Sequence, residues 1–320
     1  MSAFDKICPV FFIDENMKES IINIELKLSS LKINNKSRRD YMIRKANIRS
    51  IHSSLSIEAN SLSLNDVINI SSNKEVKGDK EDIIECKNSF ELYKNINTFD
   101  YKKEEDLIKA HQILMRNLNT QISYRDHGEG VIRNGKLIYQ APNSFYVPSL
   151  MKSLFEYINT SDIHPLILGS LFHYYFVYIH PFSDGNGRLS RFWLSLILNK
   201  YDSNFEYIPI EEEIKNSQEE YYQAIDESHI NGNANIFIKY ILKVINKSLD
   251  NICINNDIIT NYIDNRIIDL IMNDSSITQD KIADILDINV RTVKRHFKAL
   301  INNRIITRVG SDKTGNWEIM

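Results

Sequence analysis

A chain of 320 residues, 42% hydrophobic and 25% charged, is long enough for one large domain and a small one, each with its own core. A formal net charge of -3 speaks against a protein that coats nucleic acid or an acidic membrane along its whole length. Cys8, Cys86 and Cys253 are scattered with no CxxC spacing, which excludes a disulfide framework and a cysteine zinc cage.

From the N-terminus, the apolar run ICPVFFI follows Asp5 and Lys6 and soon meets Asp14 and Glu15, too short for a membrane span and wrongly flanked for a signal peptide. With reduced thiols, this places the protein in the cytoplasm with no membrane partner. Apolar residues then recur at helical spacing over 17–31, 41–57, 81–96, 105–118, 148–159 and 165–179, so the fold is expected to be mainly α. Inside the second of these, SLSIEAN (54–60) sets Ser54 and Glu58 four residues apart, which by itself is an ordinary polar stripe on a helix. The clear exception to helix is VIRNGKLIYQ (131–140), where Asn134-Gly135 between two β-prone runs predicts a hairpin with a type I′ turn. Gly130 and Gly135-Lys136 imitate a phosphate loop, but Leu137 takes the hydroxyl position and strand, not helix, follows.

The densest chemistry is HPFSDGNGRLSR (180–191). Pro165 opens a helix that is apolar almost all round, and Pro181 ends it at His180. A tight loop follows, then a helix over 188–200 with Arg188 and Arg191 near its start. Gly185 and Gly187 permit positive φ and close approach of backbone N–H groups to an anion, and the helix N-terminus favours that anion. Cations there are unfavourable unless an anion binds. Asp184 offers a hard oxygen ligand for Mg²⁺, and His180 is the side chain suited to take a proton near neutral pH. Base, metal ligand, phosphate cradle and two charge clamps describe phosphoryl or nucleotidyl transfer. A plain turn beside a core histidine, or a metal hydrolase using His173, His180 and Asp184, are the competing readings.

The stretch resembles the signature of Fic-domain proteins, HxFx[D/E]GNGRxxR, at every specified position, and the resemblance extends over roughly residues 100 to 245. It implies transfer of AMP from ATP, with Mg²⁺, to a hydroxyl of a target protein. By match to the motif, His180 would be the base and Asp184 the metal ligand. Gly185, Asn186 and Gly187 would cradle the phosphates, Arg188 and Arg191 would clamp them, and Phe182 would anchor the loop. The hairpin resembles the family's flap, which would hold the target segment as an added strand. SLSIEAN resembles the family's inhibitory helix, [S/T]xxxE[G/N], with Ser54 and Glu58 at the defining positions and Ala59 departing from Gly or Asn. Glu58 would then occupy the guanidinium of Arg191 that the γ-phosphate needs.

Helices are expected over 219–226 and 234–249, then a polar linker, NKSLDNICINND (246–257), and a C-terminal unit from about Ile258. There, helix, turn, helix and two strands around Gly310 to Gly315 resemble a winged helix-turn-helix, with Asn289 as N-cap and the wing over 308–317. In its second helix Val290, Val293, Phe297, Leu300 and Ile301 form a core face, and Arg291, Lys294, Arg295 and Lys298 another. Over 288–313 seven Lys or Arg (291, 294, 295, 298, 304, 308, 313) face one acid, Asp312, a local +6 that suits DNA phosphates or an acidic protein surface.

The expected architecture is therefore N-terminal helices with the inhibitory segment (1–98), a Fic-type helical core with a β-hairpin flap (99–250) and a winged helix (258–320). The expected activity is that of a protein adenylyltransferase, with self-modification and a homodimer both compatible. A nucleotide-sensing transcription regulator, or a Fic enzyme that removes AMP or moves another phosphate-bearing group, stay open.

Overall fold

A computed structural model describes the chain apart from residues 1–6, 32–35, 134–135, 259–261, 304, 312–314 and 320. The chain divides into two compact units, 1–31 with 43–249 and 32–42 with 250–320. No helix among the described residues is long and apolar enough to cross a membrane.

In order, the helices and hairpin of the first part are α1 (Glu15–Ser30), α2 (Lys36–Ile57), α3 (Leu64–Ser71), α4 (Lys80–Lys94), α5 (Glu104–Leu114), β1 (Gly130–Arg133), β2 (Lys136–Gln140), α6 (Val147–Thr160), α7 (Pro165–Ile179), α8 (Asn186–Tyr201), α9 (Ile210–Asn216), α10 (Gln218–Asn231) and α11 (Asn235–Ile258). The protein is mainly α, as expected. α7 is the hub of the first unit. His164 caps it by accepting from the Leu166 N–H, Pro165 sits where a missing N–H costs nothing, and every residue from Leu166 to Phe176 is buried. Gly169, the one weak helix former within it, marks close approach to α8: a Cβ there would lie 2.9 Å from Leu194 Cδ1. Phe172, Phe176, Phe192, Trp193 and Phe237 fill the core around this pair.

The hairpin is antiparallel, pairing Gly130 with Gln140 and Arg133 with Lys136, and its register shifts between Val131 and Ile132. Asn134-Gly135, the expected turn, lies outside the described residues.

Three expectations need correction. α5 ends at Leu114 and not 118, because Met115 caps it and Asn117 turns left-handed at φ 62. α3 was not foreseen; Ser63 and Asp66 close a capping box around its eight residues. The polar stretch 246–257, expected to separate the two parts, does hold the division between the units, after Leu249, but it is helical, the second half of α11, and within it Leu249 and Ile252 are buried.

The second unit contains α12 (Tyr262–Asn273), α13 (Gln279–Leu286), α14 (Val290–Asn302), β3 (Ile306–Val309) and β4 (Asn316–Ile319). Thr278 and Asn289 cap the second and third of these helices, and Asp287, left-handed at φ 51, turns the chain between them. Ile267, Ile271, Ile282, Val293, Phe297, Leu300, Ile306 and Trp317 form the core. Ile301, expected there, is 42% exposed instead, since the face of α14 that turns inward carries His296, hydrogen-bonded to Asp264 at 2.7 Å. Arg291, Lys294, Arg295 and Lys298 are all exposed. β3 and β4 pair antiparallel as a wing, with the Arg308 guanidinium 4.6 Å from the Trp317 ring centre. Of the counted charges, Arg304, Asp312 and Lys313 lie outside the described residues.

Candidate active site

The loop between α7 and α8 is built by local chemistry. α7 closes with His180 in the left-handed region (φ 50, ψ 61), its N–H bonded to the Phe176 carbonyl. Phe182 is fully buried and lies flat on His111 of α5, ring centres 3.6 Å apart. The Asn186 side chain closes the loop from within: its amide donates to the Phe182 carbonyl at 2.7 Å and its oxygen accepts the Phe182 N–H at 3.0 Å. Gly185 caps α8 at φ 84. Gly187 is helical and does not use the positive φ it permits; its missing side chain matters because a Cβ would clash with Glu58 Oε1.

The two arginines enter the first and second turns of α8. Arg188 is buried and held by Glu85 of α4 at 2.5 Å and by Asp184 at 2.9 Å. Arg191, 1% exposed, donates to the Ser54 hydroxyl (3.0 Å), the Ser54 carbonyl (3.0 Å) and Glu58 Oε1 (2.7 Å). Burial works against its charge, but Glu58, Tyr221 and Tyr93 together offset it and leave the guanidinium more firmly protonated than usual. The helix that opens with two cations is thus compensated by carboxylates of the protein itself.

Asp184 Oδ1 accepts from the Gly185 N–H (2.6 Å) and from Arg188, while its side chain stays 55% exposed. Its carbonyl binds His111 Nε2 at 2.9 Å. Burial holds His111 below the ordinary histidine range, so the ring is neutral and donates through an Nε2–H tautomer. Burial also lowers His180, opposed by Glu129 and the Val177 carbonyl and reinforced by Arg125. His173 bonds Tyr221 at 2.9 Å, and no cluster of three metal-ligating side chains occurs among the described residues, which leaves the hydrolase reading without support.

Ser54 arrives on the last turn of α2 and Glu58 just past its end at Ile57. Ala59 is left-handed at φ 65, and the Asn60 N–H returns to the Leu55 carbonyl. The family pattern asks for Gly or Asn at that position because these tolerate positive φ. Ala59→Gly is therefore expected to stabilise the protein by about 1 kcal/mol, read as a rise in thermal midpoint. Asn60 in turn donates to Glu85 Oε2 at 2.9 Å, linking the end of α2 to the partner of Arg188.

Behind this lies a second junction. Glu211 of α9, 1% exposed, accepts from Ser50 of α2 (2.6 Å), Tyr93 of α4 (2.8 Å) and Ser195 of α8 (2.8 Å). Sequence reasoning missed His111, Glu85 and Arg125 because each meets the motif only through tertiary contact, and Glu211 because it joins α2, α4 and α8 beyond it.

Residues 100–198 match the model of the Fic/DOC family, and residues 260–307 match a winged helix-turn-helix DNA-binding model. A Fic family protein from Desulfovibrio desulfuricans G20 has the same fold from end to end, covering 98% of each chain with a TM-score of 0.74 at 26% identity. This chain is a Fic/DOC-domain protein with a C-terminal winged helix.

The domain is distantly homologous to protein adenylyltransferases. One named Fic, from Culex quinquefasciatus, is 26% identical over 218 residues, and one named fic-1, from Caenorhabditis elegans, is 31% identical over 101. The matches span 42% and 19% of those relatives' lengths. The solved Caenorhabditis elegans Fic-1 fragment shares the fold of this Fic/DOC protein with a TM-score of 0.59 at 21% identity, over 74% of this chain and 70% of that one.

Proposed function

We propose that this Fic/DOC protein transfers AMP from ATP to a hydroxyl side chain of a target protein, or of itself, and that Glu58 holds it back. What carries the reading is one loop and helix start that gathers an imidazole, a carboxylate and two buried guanidiniums held by Glu85, Asp184 and Glu58. Such a place is built for anionic charge.

His180 takes the proton of the attacking hydroxyl; the new bond joins that oxygen to the α-phosphorus, and pyrophosphate leaves. Backbone N–H groups of the first turn of α8 and the Arg188 and Arg191 guanidiniums hold the phosphate chain, with Gly185 and Gly187 leaving room. Asp184 fits a Mg²⁺ ligand, since it is a hard carboxylate that stays half exposed beside the arginines. When bound, the ion neutralises phosphate charge. The hairpin 130–140 takes the target segment as an added strand, with backbone bonds that demand no particular sequence. Intact mass after incubation with ATP and Mg²⁺ tests the reading: one added AMP is the expected result, and a phosphoryl adduct would assign another reaction.

The winged helix is proposed to bind duplex DNA through the exposed face of Arg291, Lys294, Arg295 and Lys298. Lys294→Glu with Arg295→Glu should abolish a mobility shift on duplex DNA at low salt, and neutralising the pair should lower the salt slope by about 2. An unaltered protein that shifts no DNA at low salt would make this unit a protein-docking module.

A further inference from the structure

Arg125 lies outside the motif, on the segment that leads into the hairpin, and is 2% exposed. A buried guanidinium is ordinarily paired with a carboxylate. Among the described residues, Arg125 instead meets carbonyl oxygens. Nε donates to His180 at 2.7 Å, Nη1 to His127 at 2.7 Å, and Nη2 to Pro142 at 2.5 Å and Ile179 at 3.3 Å. Its own backbone N–H donates to the Pro181 carbonyl at 2.9 Å.

Two groups of acceptors are joined. The first is Ile179, His180 and Pro181, where α7 stops and its last carbonyls lose their helical partners. Those of Ile179 and His180 lie at the negative end of the helix dipole, which together with the nearby Glu129 carboxylate favours a buried cation here. The second is His127 and Pro142, one on each leg of the hairpin just outside β1 and β2, where the Ala141 N–H also closes on the Glu129 carbonyl at 3.1 Å. His180 itself stands in the left-handed region, which for a non-glycine residue persists only where its surroundings over-determine it. Arg125 bonds the carbonyl before it, its own and the one after.

We infer that Arg125 is a positioning residue that locks the hairpin and His180 into one register, so that a chain paired to the hairpin meets the imidazole at a fixed offset. The inference rests on the proposed transfer reaction for its consequence, but the junction itself is independent of it. A second tie, the Tyr139 hydroxyl on the Tyr178 carbonyl at 2.9 Å, keeps the hairpin on α7 when Arg125 is altered. The arginine's share is therefore alignment more than attachment. Misplacement by about 1 Å costs on the order of a hundredfold in rate.

The test uses the full chain carrying Glu58→Gly, with Arg125→Gln and Arg125→Lys added singly. Calorimetry gives the Kd for Mg·ATP, intact mass gives the rate of AMP adduct formation, and hydrogen exchange reads the backbone without any reaction. Arg125→Gln should slow transfer about thirty- to a hundredfold with the Mg·ATP Kd unchanged within about twofold. Arg125→Lys, a cation with three donors but no planar fork, should recover about tenfold of that loss. Exchange should quicken together in 126–142 and 177–182 and stay as it was in 186–201. Rate and Kd worsening in proportion, or faster exchange spreading through 186–201, would reduce Arg125 to general support of the fold and overturn the inference. An unchanged rate in Arg125→Gln would overturn it as well. If the Glu58→Gly parent forms no adduct, the transfer reading fails, and the exchange pattern still decides whether Arg125 joins the two segments.

Discussion

Glu58→Gly should raise AMP transfer by roughly ten- to a hundredfold and tighten Mg·ATP to a similar degree, the equivalent of the 1.5–3 kcal/mol of a hydrogen bond to a charged group. The carboxylate occupies the place an anion would take. It is 2.7 Å from Arg191 and packs against the space left by Gly187 in the first turn of α8. A γ-phosphate and Glu58 cannot both hold that guanidinium without strong repulsion. After the change Arg191 keeps its two bonds to Ser54, so the cation stays aimed while its charge becomes free. Glu58→Gln, with the shape kept and the charge removed, should fall between. Release should also be incomplete, because Arg188 is still engaged by Glu85. Calorimetry and adduct rates that match the unaltered protein in both variants would remove Glu58 from the regulation of the site.

His180→Ala should lower transfer by about 10²- to 10⁴-fold, the usual contribution of a positioned base, with Mg·ATP affinity unchanged. Best measured in the Glu58→Gly background, the loss separates chemistry from binding. Burial lowers the His180 pKa from 6.5, so the imidazole stays neutral, and able to accept a proton, into more acidic solution than a free histidine would. The acid limb of the pH–rate profile is accordingly expected below pH 6.5. A limb above that value, or an adduct formed undiminished by His180→Ala, would assign the proton to another group.

What was legible in the chain followed the range of the interactions. The 180–191 loop could be read because its parts are neighbours in sequence: Asn186 bonds Phe182 four residues back, and Asp184 reaches Arg188 four ahead. Glu58 was marked by the resemblance of SLSIEAN to the inhibitory-helix pattern, since its spacing from Ser54 alone is an ordinary polar stripe. His111, Arg125 and Glu85 stand 73, 55 and 103 residues from their partners around the loop, and no local pattern announces such pairs. The misread stretch 246–257 shows the opposite failure. Its asparagines and charges hide the helical continuation of α11 and, among the described residues, the buried Leu249 and Ile252. In α14 the basic face was legible, but Ile301 was misplaced because the buried His296–Asp264 pair takes an inward position that hydrophobicity alone assigns to an apolar residue.

The junction at Glu211 bears on how the restraint proposed for Glu58 would be lifted. Ser50 sits one turn before Ser54 on α2, Ser195 one turn beyond Arg191 on α8, and both hydroxyls serve the same carboxylate. Undocking α2 wholesale would leave an interior anion short of a donor, a penalty of about 1–3 kcal/mol on top of the exposed apolar surface. Release of that proposed restraint is therefore expected at the terminal turn, where Ala59 already stands left-handed, with Glu58 tilting aside while Ser50 stays docked.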